Sequence, residues 1–232
     1  MKNKLFIVLL IIFVGSLSAY SQTGEEILKK SLKAMGSENT ANAKSTYMEL
    51  EISIMGQNIP MKIWKQEPKF RIESSQMGQN MIFVFDGTNG WMSMAGQVME
   101  MPVDKIDQMK SQSSNPTDEF SKFIDNDSIK IEKVGKSKVE GVIAYNLKIT
   151  APNNIVSNMY INSDTFLPVK ITSNNSEAGG EVVVLFKNYK EFDGVKMPSK
   201  MLIKAQGMEI TRNVLDYKLN PKIDDSRFDK PE

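Results

Sequence analysis

Between Phe70 and Met101, apolar residues return at every second position in four short runs: Phe70–Gln76, Gln79–Phe85, Trp91–Met94 and Gln97–Met101. Period-two alternation sends successive side chains to opposite faces, so each run is expected to be a half-buried β-strand. The breaks are Met77-Gly78, Asp86-Gly87-Thr88-Asn89-Gly90 and Ala95-Gly96. Gly and Asn tolerate the positive φ that tight hairpins demand. Met81, Phe83 and Phe85 share one face of their run, as do Met92 and Met94 of theirs, and Met99 and Met101 of the last. Met and Phe together make a soft, adaptable apolar surface. Such a surface suits a greasy occupant.

The same alternation continues on both sides. In Tyr47–Ile54, Met48, Leu50, Ile52 and Ile54 interleave with Tyr47, Glu49, Glu51 and Ser53. Gly56-Gln57-Asn58 is expected to turn the chain into Ile59–Lys65, where Ile59, Met61 and Ile63 alternate with Lys62 and Lys65. Pro68 separates this run from the next. The second half is read as almost entirely β, from Ile129 to Leu219, with breaks at Glu140-Gly141, Asn153-Asn154, Asn162-Ser163-Asp164, Gly179-Gly180, Asp193-Gly194 and Gly207. Turns roughly every 8–12 residues indicate a meandering antiparallel sheet.

Two stretches follow a different period. Ile27, Leu28, Leu32 and Met35 recur at helical spacing, with Glu25 and Glu26 in the first turn and Gly36 as the stop. This helix is expected to pack on the sheet. Val103, Ile106 and Met109 keep helical spacing in the polar segment from Pro102 to Ser128. Asn115-Pro116-Thr117-Asp118 interrupts that segment, and Glu119–Ile124 reads as a short helical turn capped by Thr117 or Asp118.

The expected fold class is mainly β (α+β). A single curved antiparallel sheet of about eleven strands would form an incomplete barrel. The N-terminal helix and the mid-chain helical segment would cover its concave face. A one-layer sheet cannot bury that face by itself, so helices or a ligand must fill it.

The first residues stand apart from this pattern. Lys2 and Lys4 precede the unbroken apolar run Leu5–Val14, and Gly15, Ser16, Ser18, Ala19 and Ser21 follow. That order is expected to be a signal peptide, residues 1–21, cleaved between Ser21 and Gln22. No Cys follows the small residues, so a lipid-modified N-terminal Cys is not available. The mature domain, residues 22–232, would then be exported and periplasmic.

Composition narrows the chemistry. The chain of 232 residues has 29 Lys+Arg against 28 Asp+Glu. That balance leaves no electrostatic footprint for nucleic acid. It contains no Cys and no His, which removes the commonest nucleophile–base pairs and the commonest transition-metal ligands. No nucleophile elbow, phosphate-binding loop or zinc-protease motif occurs. The adjacent carboxylates Glu25/Glu26, Asp118/Glu119 and Asp224/Asp225 are the remaining acid–base candidates. Pairs of that kind on turns and helix ends usually cap or solvate. Asp125-Asn126-Asp127 lacks the Gly and the distal Glu of a calcium loop and reads as a turn. No catalytic residue, metal or cofactor is expected.

Sixteen Met in one chain is many, and several stand on strands where Val or Ile is the ordinary choice. Met can plug an irregular core or line an adaptable binding surface. Trp64 and Trp91 divide the same way: each can cap a cavity mouth or simply pack.

The order of motifs resembles a known family. The amphipathic helix is followed by YMELEISI at Tyr47–Ile54, KQEPKFRIE at Lys65–Glu73 and FDGTNGWM at Phe85–Met92. Later come Leu167-Pro168-Val169-Lys170, the segment Tyr189-Lys190-Glu191-Phe192-Asp193-Gly194 through Pro198, and Asn220 to Phe228. Together these resemble the LolA/LolB-like outer membrane lipoprotein-sorting proteins, in particular the exported LolA-like proteins of many Bacteroidetes. The resemblance spans nearly all of the mature chain. It implies an incomplete barrel with helices as a lid over an apolar cavity for acyl chains. It also implies envelope membrane proteins as loading and delivery partners. The family's carrier has an Arg directly before the Pro of the early strand pair, active in lid closure. Here that position is Glu67.

The expected function is a periplasmic carrier that binds the acyl chains of lipoproteins or lipids. The expected lining is Met48, Leu50, Ile52, Met61, Ile63, Phe70, Met81, Phe83, Phe85, Trp91, Met92 and Met94. The rival classes are an envelope protein-interaction module without lipid cargo, such as a stress sensor or chaperone, and a hydrolase working with carboxylates alone.

Overall fold

A computed structural model of the protein describes residues 22–112, 116–124, 126–152, 155–175 and 180–232. The proposed signal peptide, the turn at Asn153-Asn154, and residues Asn115, Asp125 and Gly179 lie outside the described residues.

The chain opens with helix α1 (Gly24–Met35) and a single turn α2 (Ser37–Thr40). Six strands follow: β1 (Thr46–Ile54), β2 (Gln57–Gln66), β3 (Lys69–Gln76), β4 (Gln79–Phe85), β5 (Gly90–Met94) and β6 (Gln97–Glu100). Helices α3 (Val103–Gln112) and α4 (Pro116–Ile124) then lead to β7 (Lys130–Val139), β8 (Val142–Thr150), β9 (Val156–Asn162) and β10 (Pro168–Asn175). The last strands are β11 (Gly180–Phe192), β12 (Val195–Ala205) and β13 (Met208–Leu219), before a short 3-10 turn at Asp225–Phe228.

All thirteen strands join one antiparallel sheet in the order β6-β5-β4-β3-β2-β1-β13-β12-β11-β10-β9-β8-β7. That is more than the expected count of about eleven, although the alternating runs themselves, six up to Met101 and seven between Ile129 and Leu219, already number thirteen. Met55-Gly56, Met77-Gly78, Ala95-Gly96, Glu140-Gly141, Asp193-Gly194 and Gln206-Gly207 all have positive φ at both positions. This is the type I′ geometry, whose twist matches that of the flanking strands. The turn expected at Gly56-Gln57-Asn58 lies one residue earlier, and Gln57 already belongs to β2.

Each half of the chain is a simple meander, and the two halves meet where β1 pairs with β13. A register shift between Glu49 and Leu50 marks that seam, and another lies between Lys133 and Gly135 in β7. Bulges bend a strand and increase its twist. Two exposed apolar residues, Leu215 and Val134, sit at these shifts.

The strand order has a topological consequence. β6 and β7 follow one another in sequence but form opposite edges of the sheet. The chain between them must therefore travel from edge to edge, and α3 and α4 are that crossing. Ile106 and Met109 of α3 are buried with Met48, Ile63, Phe70 and Ile72 of the sheet. Phe120 of α4 is buried with residues of β8, β9 and β11.

Helix α1 starts and stops as its sequence dictates. Thr23 and Glu26 form a reciprocal capping box, and Gly36 ends the helix in the left-handed region at φ 82°. Ile27, Leu28, Leu32 and Met35 are buried against Tyr145, Leu147, Ile149, Met159 and Ile161. Asn39 Nδ2 donates to the Gly194 carbonyl at 2.8 Å, which ties the end of this helical segment to the β11–β12 turn.

Candidate functional site

The pairing registers fix which side chains share a face. Met48 of β1 stands opposite Ile63, Ile63 opposite Ile72, Ile72 opposite Phe83, and Phe83 opposite Met92. The next row runs Leu50, Met61, Ser74, Met81 and Met94. Phe70 and Phe85 are paired one row the other way, with ring centroids 5.8 Å apart. Ile52, opposite Ile59, completes the inner face of β1. The inferred lining residues therefore lie on one continuous surface, with one exception.

That exception is Trp91. It pairs with Val84, which pairs with Arg71, which pairs with Trp64. These four form a row on the outer face. A residue adjacent to Met92 in an extended strand must point the opposite way. Trp91 is thus corrected from the concave lining to the outer side. Trp64 also packs there: Tyr47 lies 5.4 Å from it, and the Arg227 guanidinium stacks 4.8 Å above its ring. Arg71 Nη1 donates to the Arg227 carbonyl at 3.2 Å and Lys69 pairs with Asp225 at 2.8 Å, so the C-terminal turn is strapped onto β3.

The concave surface is filled unevenly. Met48, Leu50, Ile63, Phe70 and Ile72 are buried together with Ile106 and Met109 of α3. Farther from the seam, Met81, Phe83, Phe85 and Met92 are only half-buried, and Met94 is 43% exposed. Val103, expected on the inner stripe of its helix, is 74% exposed at the start of α3. Gly90 is buried where α3 comes closest, since a Cβ there would lie 2.8 Å from Ile106.

At one end of the sheet the concavity opens into a polar cleft of about 510 Å³. Lys44, Lys65, Lys110, Lys122, Glu67 and Asp107 line it. Glu67 accepts from Lys65 at 2.8 Å and from Lys110 of α3 at 3.4 Å. Partial burial would raise the Glu67 pKa, but Lys65 and Lys110 outweigh it and hold the carboxyl below the usual range. Glu67 is therefore joined to the crossing helix by a pair of opposite charges. Ala41, Ala43 and Tyr217 also line the cleft beside these charged groups. A smaller hollow of about 260 Å³ is lined mainly by outer-face residues, among them Lys62, Glu73 and Ile82.

One residue of the concave face escaped sequence reasoning. Arg212 of β13 stands opposite Ile52 on one side and Met201 on the other. Its Nη2 approaches the Met48 sulfur at 3.2 Å, and its Nε is enclosed without a hydrogen-bond partner. Burial pushes its pKa down to about 10, so it remains a cation at neutral pH. The signal was present: Ile210, Arg212 and Val214 keep the inward phase of their strand, and the charge breaks it.

Two of the three carboxylate pairs have members with structural partners. Glu26 completes the capping box of α1, and Asp224 Oδ1 accepts from the Ser226 backbone N–H at 3.0 Å to cap the 3-10 turn. The side chains of Asp118 and Glu119 lie outside the described residues. Among the described residues no cluster of acidic side chains could hold a metal ion. No described helix is long and apolar enough to cross a membrane.

No protein-family model and no curated protein matches the chain. Solved structures do. A DUF1329 family protein from Desulfovibrio piger superposes with a TM-score of 0.60 at 11% identity, over 89% of this chain and 95% of that one. A LolA superfamily protein from Nitrosomonas europaea gives 0.57 at 12% identity, over 90% and 99%. The chain has a LolA-like fold. A domain described as outer membrane lipoprotein-sorting, from Vibrio parahaemolyticus, shares the LolA-like architecture at a TM-score of 0.54 and 12% identity, over 88% and 97%. At such identities the agreement is one of fold.

Proposed function

We propose that the protein is an exported, periplasmic carrier that holds the acyl chains of lipoproteins or lipids against the concave face of β1–β5. The supporting observation is the uneven filling of that face. Met81, Phe83, Phe85, Met92 and Met94 form a connected apolar surface that the described helices leave partly open. An acyl chain laid there would release water, at about 25 cal/mol per Å² of apolar area buried. Met suits the task because its unbranched, polarisable side chain adapts to chains of different length.

Helix α3 would act as a movable cover, held by Ile106 and Met109 and by the Glu67–Lys110 pair. Binding and release need no chemistry on the cargo, so the protein would work without catalytic residue or cofactor. Loading and delivery would fall to envelope membrane proteins.

The direct test is native mass spectrometry of protein purified gently from the periplasm, followed by organic extraction. Stoichiometric acyl species that extraction removes are the expected result. A clean unliganded mass, together with failure to bind an apolar fluorescent probe, would overturn the carrier reading. It would leave a protein-interaction module as the better account of the fold.

A further inference from the structure

Arg212 is an unusual residue for an apolar trough. Arg212 is half-buried, and a guanidinium carries five N–H donors and is always charged, so even partial enclosure is costly where its donors are unmet. Among the described residues Arg212 has no carboxylate partner, its Nε is enclosed and unsatisfied, and its Nη2 meets only a thioether sulfur, a weak acceptor. The surrounding strands do not require a charge: Ile52 and Met201 flank it, and Ile210 and Val214 precede and follow it on the same face.

We infer that Arg212 is the headgroup site of the trough and pairs with the anionic oxygens of an amphiphile whose tail lies on the Met/Phe face. This rests on the carrier reading above and specifies its cargo class: an acyl chain with a carboxylate or phosphate at or near one end. The geometry suits that arrangement. From β13 the half-buried part of the inner face passes through Ile52 of β1 and Met61 of β2 to Met81 and Phe83 of β4, leaving aside Leu50 beneath α3. At about 4.8 Å per strand this is a path of roughly 19 Å, the scale of a long acyl chain. The head would sit beside the seam where the two halves of the sheet meet, and the tail would occupy the half-open side. Bidentate pairing of a guanidinium with a carboxylate or phosphate is among the stronger polar contacts in a site shielded from water.

The test is displacement of an apolar dye, N-phenylnaphthylamine, from the full mature protein by palmitate, hexadecanol and dipalmitoyl phosphatidic acid. Palmitate and hexadecanol differ in the head alone. The wild-type protein should bind palmitate about tenfold more tightly than hexadecanol, the usual effect of one charge-assisted contact. Arg212→Met should erase that preference by weakening palmitate while leaving hexadecanol unchanged. Whichever of palmitate and phosphatidic acid loses more on substitution identifies carboxylate or phosphate as the natural head. Equal wild-type affinity for palmitate and hexadecanol, or a preference that survives in Arg212→Met, would overturn the inference and leave the carrier reading standing. Failure of the dye and of every lipid to bind would remove both. If Arg212→Met does not yield soluble protein, Arg212→Gln tests the same loss of charge with polarity retained.

Discussion

The two halves of the sheet have the same construction and different fillings. On β8, β9 and β11, Leu147, Met159, Ile161 and Phe186 are buried under α1 and α4, whose Ile27, Leu28, Met35 and Phe120 complete a closed cluster. On β2–β5 the cover is partial: α3 buries Ile63, Phe70 and Ile72 and its Ile106 reaches Gly90 of β5, while Phe83 and Met92 stay half-buried and Met94 exposed. Apolar alternation is equally strong in both. What differs is whether a helix supplies the second layer. An apolar sheet face with a helix on it is core, and the same face without one is available surface.

Substitutions should separate the halves. The largest effect on stability is expected from Leu147→Ala in the closed half, where removing a fully buried side chain costs about 2–5 kcal/mol. Chemical denaturation would show it, with probe binding unchanged as long as the protein is folded. Gly90→Ala should cost about 1–3 kcal/mol, because its Cβ would press on Ile106 and push α3 outward. Faster hydrogen exchange confined to α3 would distinguish that displacement from general destabilisation. Phe83→Glu in the open half should change stability by only about 1 kcal/mol while abolishing binding of an apolar probe. Unchanged probe binding would take that face out of the site.

The smallest effect concerns the Glu67–Lys110 pair. Glu67 is largely exposed, so the contact is worth at most about 1 kcal/mol. Its folded pKa is lowered, so its contribution is present above the ordinary carboxylate value and is lost as pH falls through the lowered one. Glu67→Gln should therefore speed hydrogen exchange in α3 at neutral pH. The difference from wild type should vanish in acid. A difference that persists in acid would mean that the pair does not hold the helix.

Much of this was legible in the residues. The strands Gln79–Phe85, Val142–Thr150 and Met208–Leu219 begin and end where their alternation does, because period two and X-Gly turns are local signals. The α1 boundaries follow from Thr23, Glu26 and Gly36 for the same reason. The inner face of β1–β5 was readable too, since one inward residue fixes the phase of its strand. Trp91 was misplaced when its aromatic character was weighed above that phase. Arg212 was passed over because a single charge in a strand is usually solvated, and its enclosure depends on Ile52, Met201 and Met48, which are remote in sequence.

By itself, then, the sequence determined the elements, their turns and the faces they offer, all of which depend on neighbours a few residues apart. Tertiary structure decided which strands became neighbours. The seam of β1 with β13 brings Thr46 opposite Leu219, and no local pattern encodes a pairing across that distance. Once that seam forms, β6 and β7 become opposite edges and the chain between them has to cross the concavity. Coverage by α1, α3 and α4, the part of the face left open and the half-burial of Arg212 all follow from that closure. Each depends on what the second layer covers, which is a property of the assembled sheet.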